Sequence, residues 1–159
     1  MTAAVTVAVE DPRQPEVEAM LRAGEAFARG LYSAEECFLL PVEALAAPGT
    51  TVLVARDGGG AALGMVALVE QEAGMGELKR LFVDDAARGR GVADLLLDAL
   101  EQAARERSIR TLRLETGTRS DAALRFYARR GYERIPAFGP YVGSATSVCM
   151  ARTLEASPL

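Results

Sequence analysis

The residues best suited to chemistry sit in one short stretch, Arg88-Gly89-Arg90-Gly91-Val92-Ala93, followed by Asp94. Two glycines and two arginines precede a strongly amphipathic segment. A glycine-bearing turn that opens a helix leaves backbone N–H groups free, and the helix dipole adds partial positive charge at the same point. Such a turn binds anions, phosphates above all. This one lacks the Lys-Ser/Thr of a P-loop and the third glycine of a dinucleotide fingerprint. The chain has no histidine. That removes His-based zinc sites and every Ser-His or Cys-His nucleophile system. A general base must then be Glu, Asp, Lys, Tyr, a thiolate or water.

The elements that must position this turn follow from the pattern around it. Val5, Val7 and Val9 alternate with polar or small residues as a first strand. Pro15 suits the first turn of a helix over 16–31, with a shorter helical piece near 34–40 and a turn over 41–46. Residues 51–56 and 62–71 read as strands of a hairpin about the turn 57–60. Residues 74–76 turn the chain again into a strand over 77–83, completing an antiparallel meander. Val92, Leu95, Leu96, Ala99, Leu100 and Ala103 recur at helical spacing, with Asp94, Asp98, Glu101 and Arg105 on the other face. A strand over 111–116 carries Leu112 and Leu114 on one side. Ser120 is placed to cap a helix running to Arg130, closed by Gly131. Short strands over 132–135 and 147–152 flank a loop over 136–141, and residues 155–159 are expected to fray.

Composition bounds the function. The chain has 159 residues, half of them hydrophobic and a quarter charged, which fits a single domain over 1–159 with a real core. A net charge of −4 argues against nucleic acid as partner and is compatible with a cationic or neutral substrate. Cys37 and Cys149 read as reduced, buried thiols with no metal or redox spacing, so no metal is expected. Neither a signal peptide nor an apolar run of membrane-spanning length is visible, so the expectation is a cytoplasmic protein without a membrane partner.

Meander, turn, helix, strand and a second helix ending in Phe126-Tyr127-Ala128-Arg129-Arg130-Gly131-Tyr132 together resemble the GNAT superfamily of acyl-CoA-dependent N-acetyltransferases. The resemblance covers nearly the whole chain and is most specific over 77–93 and 122–132. It implies an α+β fold: a mixed, mainly antiparallel sheet, splayed between two central strands, with helices on both faces. It implies acetyl-CoA as cofactor, with the coenzyme A pyrophosphate on the N–H groups of Arg88, Gly89, Arg90, Gly91, Val92, Ala93 and Asp94. It also allows a homodimer.

The strand before the turn breaks its own alternation: Lys79 and Arg80 are adjacent polar residues, and Leu81, Phe82 and Val83 adjacent apolar ones. A bulge is a physical way to change face mid-strand. In the family this strand carries a bulge, and the pantetheine arm pairs with its exposed backbone, here at Leu81 to Val83.

The resemblance also distributes roles. Glu77 stands eleven residues before Arg88, the offset of a glutamate that serves some family members as base. An amine of pKa ~10.4 is neutral in roughly one molecule in two thousand at pH 7, and only that form attacks. Glu115, near the end of the facing strand, is the rival base or amine anchor. Alternation does not decide between them, because the bulge scrambles it. Tyr127 matches the tyrosine that donates to the departing thiolate. Ser120 stands where the family often has a cofactor-contacting Asn. Leu31, Tyr32, Glu35, Phe138 and Tyr141, with Glu115, are the candidate acceptor contacts. The expected reaction is acetyl transfer to a primary amine of a small molecule by direct attack. Acetylation of a protein or peptide, or acetyl-CoA binding without catalysis, remain the alternatives.

Overall fold

The computed structural model describes residues 4–155. The fraying expected of 155–159 lies almost wholly outside them.

Valine-rich β2 (Thr50–Arg56) and β3 (Ala62–Glu70) form the hairpin, and their central residues are buried on both faces. Strand β1 (Thr6–Val9) pairs with β2, and β4 (Met75–Val83) with β3, all antiparallel. Strand β5 (Thr111–Gly117) then joins β4 in parallel, and β7 (Ser147–Thr153) and β6 (Glu133–Ile135) complete the order β1-β2-β3-β4-β5-β7-β6. The fold is therefore the expected α+β sheet, mixed and mainly antiparallel.

Helices cover both faces. Helix α1 (Pro15–Leu31), with proline in its first turn, packs Val17, Met20 and Leu21 onto one face. Leu45 of the short α2 (Val42–Leu45) joins them beside Val52, Val54 and Met65. Helix α3 (Val92–Glu106) and helix α4 (Asp121–Arg129) cover the other. The α3 stripe is rotated from the expected one: Leu97 is fully buried and Leu95 is 39% exposed. Glu101, expected on the solvent face, is buried. Its carboxylate accepts from Arg130, Arg152 and Tyr132 at 3.0, 3.0 and 3.1 Å, and that pairing is what allows it inside.

Other departures are local. The piece expected near 34–40 is helical only as a 3-10 turn, Ala34–Glu36, after which the chain runs without helix to Pro41. The turn expected over 41–46 is the single helical turn α2, with Pro41 and Ala46 as its caps. Cys37 is half-buried, not buried, whereas Cys149 is buried, and both are free thiols.

Candidate active site

The site begins where the sheet opens. Strands β4 and β5 pair only at Met75 to Glu77 against Thr111 to Arg113. Beyond that they part, and β5 stays fully paired to β7. On β4, Met65 faces Phe82 and Ala67 faces Lys79, so Arg80 and Leu81 have no matching place in the ladder. Arg80 adopts φ 60, unusual for a non-glycine residue. The broken alternation is thus a bulge, as expected. The Arg80 guanidinium is buried against the Leu21 carbonyl and Glu25, which fastens the bulge to α1.

The turn after β4 is built on left-handed glycines. Gly89 has φ 81, and Gly91, the N-cap of α3, has φ 73. A Cβ at either would meet nothing within 4 Å, so conformation and not space requires glycine there. No side chain caps α3, and its first internal bond is Leu95 N–H to the Gly91 carbonyl at 3.1 Å. The N–H groups of Val92, Ala93 and Asp94 precede that bond and lack helical partners. Arg88 is exposed and paired with Asp85. Asp94 meets Arg129 and Arg130 at 3.5 and 3.3 Å, tying the start of α3 to the end of α4.

Three connected cavities lead away from this turn. One of about 360 Å³ runs from Arg88 and Asp85 along Leu81, Phe82 and Val83 to Phe27. It shares Phe27 and Leu81 with a cleft of about 680 Å³ between the parted strands, lined by Leu78, Lys79, Glu115, Ser120, Ala123 and Tyr127, among others. That cleft continues into a pocket of about 160 Å³ at the end of α1, where Leu31, Tyr32, Phe38 and Leu39 face Glu115 and Thr116. The glycine turn, an open strand edge and a small apolar-walled pocket therefore follow one another in space.

The two candidate carboxylates are in different surroundings. Glu77 is 5% exposed and does not line the cleft. Gln71 donates to its Oε1 at 2.8 Å and the Tyr141 hydroxyl to its Oε2. Lys79 donates to the same hydroxyl at 2.6 Å and to the Phe38 carbonyl at 3.0 Å. Glu115 lines both the cleft and the pocket. The Ser147 hydroxyl donates to its Oε2 at 2.6 Å. Burial raises its pKa above the usual carboxylate range, the Ser147 bond and Lys79 act against that rise, and Glu77 adds to it.

Tyr127 lines the cleft with its ring buried against Phe126 and Tyr132. Among the described residues no hydrogen-bond partner meets its hydroxyl. Burial, then the nearby Glu115, pushes its pKa far up, so it remains a neutral donor at physiological pH. Ser120 is the N-cap residue of α4 without a capping side-chain bond; its hydroxyl pairs instead with Tyr32 at 2.9 Å. The Tyr32 hydroxyl also accepts from the Arg119 N–H at 2.8 Å. Gly117 permits this approach, since a Cβ there would collide with the Tyr32 ring.

Of the acceptor candidates, Leu31 and Tyr32 line the pocket, but Glu35 is exposed and outside it. Its neighbour Glu36 takes the place on the pocket wall. Tyr141 is a buried plug, stacked edge-on between Phe38 and Phe138 at 5.0 and 5.2 Å. Phe138 carries the Arg113 guanidinium on its outer face at 4.1 Å. Neither Phe138 nor Tyr141 lines the pocket. Phe38, Leu39, Lys79 and Ser147 were not anticipated. Their local sequence carries no signal, because each acquires its position through contacts between distant elements.

These features define a class. The sequence matches the acetyltransferase (GNAT) family over residues 15–132, and the chain belongs to that family. It is an acyl-CoA-dependent N-acetyltransferase, and acetyl-CoA is its acyl donor. An IAA acetyltransferase from Azospirillum brasilense is 35% identical over 151 residues, which span 94% of this chain and 98% of that protein. A solved structure from Klebsiella pneumoniae, assigned as an acyl-CoA N-acyltransferase, is 36% identical with a TM-score of 0.81 over 95% of this chain and 98% of that one. An aminoglycoside 6'-N-acetyltransferase complexed with coenzyme A shares the fold, with a TM-score of 0.70 at 18% identity over 97% of this chain and 99% of that one. Among the described residues, no helix is long and apolar enough to cross a membrane.

Proposed function

We propose that this protein transfers the acetyl group of acetyl-CoA to a primary amine of a small molecule by direct attack, with Glu115 as the base. The observation that carries this reading is the position of Glu115 on the wall shared by the cleft and the smaller pocket. An amine seated in the pocket there faces a carboxylate on one side and the open edge of β4 on the other.

The residues present fit the donor. Left-handed Gly89 and Gly91 and the free amides of Val92, Ala93 and Asp94 suit a pyrophosphate. The edge of β4 that faces β5, unpaired at Leu81 to Val83, suits an extended arm. When bound, acetyl-CoA supplies a thioester whose carbonyl carbon is the electrophile. The Leu81 N–H, released from the ladder by the bulge, is the donor assigned to the acyl oxygen. Glu115 takes the proton of the acceptor ammonium. Its raised pKa narrows the gap to the amine and makes it a better base than an exposed glutamate. Tyr127, neutral and unpartnered, donates to the departing sulfur. A free thiol of pKa ~8.5 against a phenol of ~10 makes full transfer uphill by about 2 kcal/mol even without burial, so a hydrogen bond is the role assigned. Glu77 then has a positioning role: with Tyr141 and Lys79 it holds Phe38 and the 136–141 loop beside the pocket.

A small molecule is favoured over a peptide because the pocket beside Glu115 is small and walled mainly by apolar side chains. Its volume, about 160 Å³, is below the roughly 300–1,000 Å³ of drug-sized sites. The test is a thiol-release assay with acetyl-CoA and small primary amines, comparing wild type with Glu115→Gln. The expected result is turnover of an amine by wild type, with kcat/KM lowered about 10²-fold in the variant. Wild-type activity should rise with pH through a limb above the usual carboxylate range, and the variant should lack that limb. An unchanged pH profile in Glu115→Gln would remove Glu115 as base.

A further inference from the structure

The pocket beyond Glu115 has a composition that selects among amines. Its walls are aromatic and aliphatic: Phe27, Leu31, Tyr32, Phe38 and Leu39 supply most of them. Hydroxyls of Thr116, Ser120 and Thr146 are the uncharged polar groups at its edge. Two carboxylates are present, and they are not equivalent. Glu36 caps its own turn: its Oε1 accepts the Ser33 N–H at 2.8 Å in a capping box. Hydrogen bonds at Ser33 and Thr146, together with Arg119, hold its pKa below the usual value. Glu115 spends one oxygen on Ser147 and keeps the other for a ligand. No Lys or Arg lines this pocket among the described residues; Lys79, Arg80, Arg119 and Arg125 line the cleft outside it, with Lys79 bonded to the Phe38 carbonyl and Tyr141, Arg80 to the Leu21 carbonyl and Glu25, and Arg119 turned to the Leu31 carbonyl and the Tyr32 ring.

We infer that the acceptor is a small hydrophobic monoamine, an arylalkyl- or branched alkylamine, with its ammonium on Glu115 and its apolar body between Tyr32, Phe38 and Leu39. The inference rests on the amine-acetyltransferase reading above and narrows it. The free oxygen of Glu115 holds one ammonium. A polyamine or aminoglycoside would bring further cations against Phe27, Leu31, Phe38 and Leu39, where a charge without a partner is costly. An amino acid would bring a carboxylate, with Glu115 beside it and no basic side chain on the wall to receive it. The apolar body of a monoamine instead removes aromatic and leucine surface from water, and a ring can meet Tyr32 and Phe38 edge-to-face.

The experiment compares kcat/KM for four acceptors on the full-length protein: 2-phenylethylamine, phenylalanine, spermidine and propylamine. Phenylethylamine and phenylalanine differ by one carboxylate; phenylethylamine and propylamine differ by the ring. The expected order has phenylethylamine at least about tenfold above each of the others, a difference of 1.4 kcal/mol. Phe38→Ala and Phe38→Leu are then tested for the ratio of phenylethylamine to propylamine. Both variants should lower that ratio mainly through the KM of phenylethylamine, Ala more than Leu. A general loss of folded protein would lower both substrates alike and leave the ratio unchanged. Preference for phenylalanine or spermidine would overturn the hydrophobic-monoamine class while leaving amine acetylation intact. Acetyl-CoA binding by calorimetry with no turnover of any of the four would overturn the underlying reading as well.

Discussion

At the scale of single residues, two carboxylates of the same type hold different positions because of where their strands part. Glu77 stands at the last paired position of β4 against β5, so it is enclosed and its oxygens are used by Gln71 and Tyr141. Glu115, two residues beyond the last paired position of β5, reaches the gap. The burial that raises its pKa has a cost in stability. A carboxyl with a folded pKa above its unfolded value binds more protons folded than unfolded between the two values. The contribution of Glu115 to stability is therefore most favourable below the ordinary value of 4.5 and falls as pH rises through the raised folded pKa. Glu115→Gln lacks that loss. Its melting temperature should exceed that of wild type at neutral pH and converge toward it in acid, as calorimetric scans across pH will show. Each kcal/mol relieved corresponds to about 2–4 °C. Tyr127→Phe tests the other side of the reaction. It removes a hydroxyl with no protein partner, so folding is little affected, while kcat should fall about 10²-fold with the KM for acetyl-CoA nearly unchanged. An unchanged kcat would take Tyr127 out of the chemistry.

At the scale of elements, the β4 strand, its bulge and the N-terminus of α3 act as one unit. The bulge lies at Arg80 and Leu81, β4 is unpaired towards β5 beyond Glu77, and the cavity along Leu81 to Val83 reaches Arg88 at the start of the glycine turn. Gly91→Ala keeps the free amides but puts a Cβ at φ 73, a strain of about 1–2 kcal/mol. Gly91→Asp adds to that strain a negative charge where a pyrophosphate is expected. Both should lower the melting temperature similarly. Isothermal titration with coenzyme A should show Gly91→Asp weaker than Gly91→Ala by about tenfold, the part due to charge. Equal affinities for the two variants would remove this turn from the cofactor site.

At the scale of the whole molecule, the two flanks of the cleft are joined below it by buried charge. Glu101 of α3 binds Arg130 beyond α4, Arg152 of β7 and Tyr132, and Asp94 and Asp98 add to the hold on Arg130. This network touches the cleft only through the edge contact of Tyr132 with Tyr127 and through Asp94 at the start of α3, and its carboxylates and guanidinium groups are expected to contribute to stability more than to catalysis. Glu101→Gln leaves two guanidinium groups short of a partner. It should cost about 2–3 kcal/mol, less than a wholly enclosed pair because Arg152 is partly exposed. The melting temperature should drop by roughly 5–10 °C, with kcat retained well below the transition. A loss of kcat at full folding would show that the network sets the cleft as well as the fold.

The sequence by itself determined the family, the order of strands and helices, the bulge and the left-handed glycine turn. Those are local matters: apolar period, broken alternation and glycine spacing are written in consecutive residues. It also picked out Glu77, Glu115 and Tyr127 as the groups to consider. The tertiary structure alone decided which carboxylate meets the cleft, because that depends on where β4 and β5 stop pairing. It moved Tyr141 from a wall to a plug, replaced Glu35 by Glu36 and rotated the α3 stripe to bury Leu97. It also placed Phe38 and Leu39 around the acceptor pocket. Each of these positions results from contacts between segments far apart in the chain, for which no periodicity in the sequence provides a signal.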